Sequence, residues 1–225
     1  FTSITFGIEV EYIPANLCKG CSGLTSVTIP ESVTSIGESA FRGCSGLSSV
    51  EWNTVACQDF EYSSRPFYDC ENITSITFGE QVKRIPAYLC YEMDTLTTVT
   101  IGESVASIGE SAFSGCSGLT SVTIPESVAT IGNWAFSGCT SISNPLYNSK
   151  VFAYMPKTYR GEYEIPSGIQ SIAGNAFIGC EGLTSVTIPE SVTTIGNYAF
   201  GDCSGLTSIT IPDGVTSIGK YAFGD

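Results

Sequence analysis

The feature that most constrains this chain is a repeat of 23 residues. The segment LTSVTIPESVTSIG, which begins at Leu24, returns with few changes at Leu96, Leu119, Leu183 and Leu206. Leu96 and Leu119 are 23 residues apart, and so are Leu183 and Leu206. A unit this short has no second layer against which to bury its apolar side chains. Its stability must therefore come from stacking on neighbouring units.

The repeat divides residues 1–225 into nine units of a single domain. The units begin at Phe1, Leu24, Leu47, Ile73, Leu96, Leu119, Arg160, Leu183 and Leu206. Two departures interrupt the regular spacing: the third unit, 47–72, is three residues longer than the others, and an insertion occupies 142–159. We expect features specific to this protein's function at these two places.

Each unit opens with an alternating segment, in which Val27 and Ile29 are separated by polar Thr28. This period of two is typical of a strand, and Pro30 ends it because proline donates no ladder hydrogen bond. Gly37 in the second half disfavours a long helix. We predict an α/β solenoid, a right-handed superhelix with a parallel sheet of about nine short strands on one face. Turns or short 3₁₀ or helical pieces are expected on the other face.

Two columns of side chains should stack inside the solenoid. The phenylalanine column consists of Phe41, Phe67, Phe113, Phe136, Phe177, Phe200 and Phe223. Seven of the ten cysteines share a second position, at Cys21, Cys44, Cys70, Cys116, Cys139, Cys180 and Cys203. We interpret them as reduced core thiols, although neighbouring rungs are close enough for disulfides. Cys57 lies outside both columns, and its state is left open.

The composition excludes several classes of function. The chain carries 22 acidic and 9 basic side chains and no histidine. A net charge of −13 opposes nucleic-acid binding, and the missing histidine removes the commonest acid–base catalyst and metal ligand. Cys18 and Cys21 form a C-x-x-C pair, but no second pair completes a zinc site. We predict no catalytic residue, metal or cofactor, and no direct membrane insertion, since no apolar run reaches about 18 residues.

Outward strand positions supply the largest regular surface, a ladder of hydroxyl side chains interrupted by two acids. The candidate ligand-binding residues are Thr28, Glu51, Thr77, Thr100, Thr123, Glu164 and Thr187, together with Tyr147 and Tyr154 of the insertion. Solenoids commonly bind partners on such a face. The alternative is a solvated sheet without a ligand, because threonine is also a good strand former.

The insertion predicts a β-hairpin around Asn148 and Ser149. Apolar and polar residues alternate on both sides of this turn-favouring pair in LYNSKVFAYMP. We expect the hairpin to project from the solenoid or to cap it. Its aromatic side chains would then either pack down on the solenoid or form a contact patch.

The repeat L-x-x-V-x-I-P…A-F-x-x-C resembles the 23-residue leucine-rich repeats of the BspA-like bacterial surface-antigen family along the whole chain. The resemblance implies an exported or surface-anchored bacterial protein that binds an extracellular protein or glycan without catalysis. A structural spacer and, more remotely, a glycan-active enzyme are the alternatives. The terminal units have no polar cap, so we expect either a fragment of a longer array or end-to-end self-association.

Overall fold

The computed structural model describes residues 1–224, in which it contains seventeen short strands and no helix. In chain order the strands are β1 (Ser3–Ile4), β2 (Tyr12–Ile13), β3 (Ser26–Ile29), β4 (Ser35–Ile36), β5 (Ser49–Trp52), β6 (Ser75–Phe78), β7 (Arg84–Ile85), β8 (Thr98–Ile101), β9 (Ser107–Ile108), β10 (Thr130–Ile131), β11 (Leu146–Tyr147), β12 (Val151–Tyr154), β13 (Gly161–Glu164), β14 (Ser171–Ile172), β15 (Leu183–Thr187), β16 (Thr194–Ile195) and β17 (Ser217–Ile218). They stack as the successive turns of a parallel β-solenoid.

The front face is built from the opening segments of the units. Strands β1, β3, β5, β6 and β8 form one parallel sheet, and β13 and β15 form another. Buried and exposed residues alternate along β3, as the period of two predicts. The expected single sheet of about nine strands is wrong, because 121–124 and 208–211 form no strand. The insertion follows the sixth unit where a regular front strand would otherwise come.

The back face consists of short strands rather than helical pieces, and all of them except the four-residue β12 have two residues. Its parallel rows are β2–β4, β7–β9–β10 and β12–β14–β16–β17. Of the predicted turns or short 3₁₀ or helical pieces, the structure contains the turns, and no helical piece occurs within residues 1–224. Each turn passes through left-handed backbone, for example at Ser39 (φ 58°) and again at Gly43 (φ 68°). Residues in this conformation cannot continue a right-handed helix.

Glycines on the back face allow adjacent turns to approach at backbone distance. A Cβ atom at Gly37 would lie 2.3 Å from the amide nitrogen of Ala15, and one at Gly109 would lie 2.4 Å from that of Ala87. Both distances are far below van der Waals contact. The repeat therefore needs glycine here for close packing, a reason beyond the disfavouring of a long helix that we inferred from sequence.

The predicted phenylalanine column forms the interior. Its members from Phe41 to Phe200 are buried, and the terminal Phe223 is partly exposed. Phe177 stacks on Phe200 with ring centroids 4.7 Å apart, and Phe200 stacks on Phe223 at 5.5 Å. Each buried ring contributes about 1.5–3 kcal/mol relative to exposure. One continuous apolar core results, which extends from Ile13 to Ala222.

The insertion forms a hairpin that becomes part of the solenoid wall. Strands β11 and β12 pair in antiparallel fashion, and β12 also pairs in parallel with β14. Phe152 is buried and stacks on Phe177 at 4.7 Å. The Met155 amide donates to the carbonyl oxygen of Ala176 at 2.7 Å, which repeats the bond from Phe177 to Ala199. The expectation that the hairpin projects or caps is wrong, because its side chains fill a turn of the core.

A seam separates the first 142 residues from the rest. Within residues 1–224 no backbone–backbone hydrogen bond and no strand pairing joins 1–142 to 143–224. Side chains make the connection instead. The Asn148 amide donates to the carbonyl oxygens of Pro125 and Val128, each at 2.8 Å. The Tyr154 hydroxyl donates to the carbonyl oxygen of Cys139, and the Trp134 amide donates to the side chain of Asn175.

Candidate functional site

The hydroxyl side chains near the front sheet are of two kinds. Some donate hydrogen bonds to backbone carbonyl oxygens, and others are exposed and make no such bond. Thr25 Oγ1 donates to the carbonyl oxygen of Thr2 at 3.2 Å, and Thr97 Oγ1 donates to that of Thr74 at 3.2 Å. These bonds tie adjacent units together. Thr77 is exposed on the front face, and within residues 1–224 it makes no side-chain hydrogen bond. Its donor and acceptor capacity therefore stays available to a partner.

We call the exposed residues of this face that we predicted from sequence the front platform. Its members are Thr28, Glu51, Thr77, Thr100, Thr123, Glu164 and Thr187, and all of them are exposed. Register places Thr28 opposite Glu51, Glu51 opposite Thr77, and Thr77 opposite Thr100. These four residues form one continuous row on neighbouring strands.

Glu51 is the centre of the first part of the front platform. Its Oε2 accepts a hydrogen bond from Thr28 Oγ1 at 3.1 Å, and its Oε1 accepts one from Asn53 Nδ2 at 3.3 Å. A shallow concavity of about 320 Å³ surrounds it, with Ser26, Thr77 and their strand neighbours in its lining. The carboxylate is held in place but remains exposed, which suits a hydrogen-bond acceptor for a ligand.

The structure divides the front platform at the seam. Glu164 is opposite Thr187 on the second sheet, and Thr123 lies between the two sheets on a segment without strand pairing. A concavity of about 300 Å³ lies between β15 and residues 208–212. The predicted residues thus form two separate groups, with one acid in each.

The two insertion tyrosines that we predicted as ligand contacts lie away from the front platform. Tyr147 belongs to β11 in the back sheet, where it is 44% exposed and stacks on Phe152 at 5.8 Å. Tyr154 is 5% exposed and donates its hydroxyl to the carbonyl oxygen of Cys139 at 3.3 Å. Burial raises the pKa of Tyr154. The selection of Tyr154 as a ligand contact is therefore corrected, because a side chain enclosed by the core does not reach a ligand at the surface.

Charged side chains that sequence reasoning missed anchor the third unit to the fourth. Arg84 pairs with Asp59 and donates to the carbonyl oxygen of Cys57 at 3.2 Å. Asp59 also accepts a bond from the Ala87 amide at 2.8 Å. Arg65, which belongs to the third unit, is buried. The available signal was the clustering of arginines near the longest unit of a chain with few basic residues.

All ten cysteines are free thiols, and the contacts of their side chains indicate a structural role. In the column, Cys116 Sγ donates to the carbonyl oxygen of Cys90 at 3.1 Å, and Cys139 Sγ donates to that of Phe113 at 3.2 Å. The thiol thus satisfies a carbonyl one unit away. Cys57 is buried, and burial raises its pKa to about 12.

Two kinds of feature are absent from the described part of the chain. Among residues 1–224 no group of three histidine, cysteine, aspartate or glutamate side chains is arranged to hold a metal ion. The same residues contain no helix with the length and apolar character needed to cross a bilayer.

Solved bacterial leucine-rich repeat proteins share this fold. A Bacteroides ovatus leucine-rich repeat protein is 21% identical with a TM-score of 0.54, over 99% of this chain and 71% of its own. The pneumococcal vaccine antigen PcpA is 22% identical with a TM-score of 0.52, over 88% and 58%. A leucine rich cell surface protein from Faecalibacterium prausnitzii is 25% identical with a TM-score of 0.49, over 96% and 75%.

Family similarity extends along the whole solenoid. No curated protein matches the chain. The family model described as "BspA type Leucine rich repeat region (6 copies)" matches residues 1–94, 60–154 and 148–225. These three matches overlap and together include every unit as well as the insertion. The chain therefore belongs to the BspA-type leucine-rich repeat family.

Proposed function

We propose that this chain is a non-catalytic, adhesion-type binding module of a bacterial surface or secreted protein. Its front platform would bind an extracellular protein or glycan. The observation that carries the proposal is that some hydroxyl side chains bond to the backbone whereas others remain exposed. Thr25 and its equivalents are used by the backbone, whereas the outward Thr77 lies free beside Glu51 in the described part of the chain. Membership of the BspA-type family supports the location outside the cell.

An array of glycans and extracellular-matrix proteins tests this function. We expect a ligand that is retained by the native chain and lost on Glu51→Ala or Glu164→Ala. Glu103→Ala is the matched control, because Glu103 is an exposed acid in the turn after β8 and outside the front platform. An array without any retained ligand would favour a spacer that holds other domains apart. Equal loss with the control variant would remove the front platform from the proposal.

We also propose that copies of this chain associate end to end through exposed apolar side chains of the first and ninth units. Phe1 and Ile8 at one end are exposed, as are Ile218 and Tyr221 at the other. Burying these apolar groups between copies would be favourable. Light scattering after size-exclusion chromatography should show a mass that rises with protein concentration. A constant monomer mass at high concentration would exclude this association.

A further inference from the structure

Exposed apolar side chains away from the ends of the solenoid concentrate in the third unit. In the structure between residues 24 and 205, the large exposed apolar side chains are Val55, Tyr62, Tyr68 and Tyr147. Three of these four belong to the third unit. Tyr62 is 57% exposed and Tyr68 is 41% exposed. Aromatic groups exposed in this way are typical of interaction surfaces, where tyrosine is enriched.

A buried arginine holds these rings in fixed positions. Arg65 is 4% exposed, and its guanidinium lies 4.6 Å from the ring centroid of Tyr62 and 4.8 Å from those of Tyr68 and Tyr91. Its Nε donates to the carbonyl oxygen of Tyr62 at 2.8 Å. Its Nη1 donates to the carbonyl oxygen of Tyr91 at 3.0 Å and to the carboxylate of Glu92 at 3.2 Å. Rings held this firmly lose little freedom on binding.

We call Tyr62, Tyr68 and Tyr91 the tyrosine patch. Tyr62 and Tyr91 meet edge to face with centroids 5.4 Å apart. Arg65 contacts one side of the patch, and the exposed fractions of Tyr62 and Tyr68 show that other parts of these rings reach solvent. The patch thus combines a rigid base with open aromatic surface.

The charges around the tyrosine patch favour a cationic partner. A concavity of about 300 Å³ beside Tyr68 and Tyr91 is lined by the carboxylates of Asp69, Glu71, Glu92 and Asp94, and Arg65 supplies its basic group. Arg42 pairs with Asp69, and Arg65 pairs with Glu92. Within residues 1–224, Glu71 and Asp94 form no ion pair. The rim therefore keeps a net negative charge in a chain that is itself acidic.

We propose that the tyrosine patch is a docking surface for a segment of a protein partner that carries lysine or arginine side chains. A cation of the partner would lie against the open surface of Tyr62 or Tyr68, as Arg65 lies against the inner one. Glu71 and Asp94 would attract the segment during approach. The surface goes beyond the proposed function, because no residue that lines this concavity also lines the one around Glu51.

Fluorescence anisotropy with the full chain and labelled peptides tests this surface. The probes are short peptides of equal length in which glycine alternates with lysine, arginine, glutamine or glutamate. We expect the lysine and arginine peptides to bind, with affinity that falls as salt is added. Tyr62→Leu and Tyr68→Leu preserve apolar volume but remove the aromatic ring, and each should weaken binding about two- to fivefold. Tyr62→Phe preserves the ring and should bind as the native chain does.

Tyr12→Leu is the matched control, since Tyr12 is 55% exposed, lies on β2 of the first unit and belongs to neither the tyrosine patch nor the front platform. Circular dichroism of each variant establishes that it is folded before binding is measured. Equal binding of the glutamine and lysine peptides would overturn the proposal, and so would unchanged binding by both leucine variants. A polyamine that displaces the peptides equally well from native chain and leucine variants would also overturn it, because charge alone would then suffice.

Discussion

The side-chain amide of Asn148 lies 2.8 Å from the carbonyl oxygen of Val128, and this bond crosses the seam between the two parts of the solenoid. The same side chain accepts bonds from the Lys150 and Val151 amides, each at 2.8 Å. Its donors and acceptor are therefore all engaged inside the protein. One asparagine thus stands in for ladder bonds that the insertion has displaced.

Replacing Asn148 with alanine should lower the free energy of unfolding by about 3 kcal/mol, because it leaves buried polar groups of the backbone without partners. Urea denaturation measures the change. Asn144→Ala is the control, since Asn144 is exposed in the same insertion, and its effect should stay within about 0.5 kcal/mol. Equal effects of the two variants would show that the Asn148 bonds do not stabilise the seam.

Phe177→Ala should destabilise chiefly the part of the solenoid after the seam. Phe177 is buried between Phe152 and Phe200 at 4.7 Å from each, so its loss should cost about 3–5 kcal/mol. Hydrogen exchange followed by mass spectrometry should show faster exchange in 160–224 than in 24–120. Phe223→Ala, at a partly exposed ring, should have a much smaller effect. Hydrogen exchange that becomes equally faster along the whole chain would mean that the two parts do not unfold separately at the seam.

Alkylation by iodoacetamide at neutral pH should modify Cys21 before the other cysteines. Cys21 is partly exposed, whereas the other nine are buried. Burial raises the pKa of Cys203 to about 11 and that of Cys139 to about 12, which suppresses the reactive thiolate. Mass spectrometry before and after unfolding counts the modified thiols. Rapid labelling of Cys139 in the native protein would contradict the closed core.

Stability should fall as the solution is made alkaline. The folded pKa of Cys139 and Cys203 lies above the usual value of 9.0, so the folded state retains protons that the unfolded chain releases. Their stabilising contribution is fully present below about pH 9 and is lost as the pH rises through the folded pKa. Each such thiol lowers the free energy of unfolding by about 1.4 kcal/mol per pH unit in that window. Urea midpoints at several pH values measure this, and a flat profile from about pH 8 to about 11 would contradict it.

Asp202→Gly should preserve or raise stability by up to about 1 kcal/mol. Asp202 has a φ of 54°, and Gly43 has the same place in its own unit with a φ of 68°. Glycine enters this left-handed region without the steric cost that a side chain carries. Asp213→Gly is the control, since Asp213 is exposed and absent from the residues with positive φ. It should cost about 0.5–1 kcal/mol. A larger loss of stability in Asp202→Gly than in Asp213→Gly would contradict the assignment of backbone strain to Asp202.

The sequence was sufficient to predict the stack, the inward phenylalanines and the outward threonines, because each depends on a period that the chain repeats. It was insufficient for the back face. The short strand at Ser35–Ile36 has only two residues, and its pairing depends on a neighbouring turn 23 residues away. The left-handed backbone at Tyr88 and Trp134 was also missed, since aromatic residues rarely adopt it.

The two irregular regions could not be predicted in detail, because non-repeating contacts determine them. Nothing local to Met155 indicates that its amide would make the bond that a phenylalanine makes in the regular units. The three rings around Arg65 come from two different units, as Tyr62 and Tyr68 lie in the third and Tyr91 in the fourth. Contacts of this kind follow from how the turns align.

The separation between hydroxyls that tie the turns together and hydroxyls that face solvent has an evolutionary consequence. If the proposed function holds, substitutions at Thr77 or Thr100 would change the surface offered to a ligand, while Thr25 and Thr97 continue to hold adjacent backbones. Selection for a new ligand can therefore act on one set of positions without disturbing the other. The exposed surface of the sheet can therefore vary in sequence without loss of the hydrogen bonds that hold its turns together.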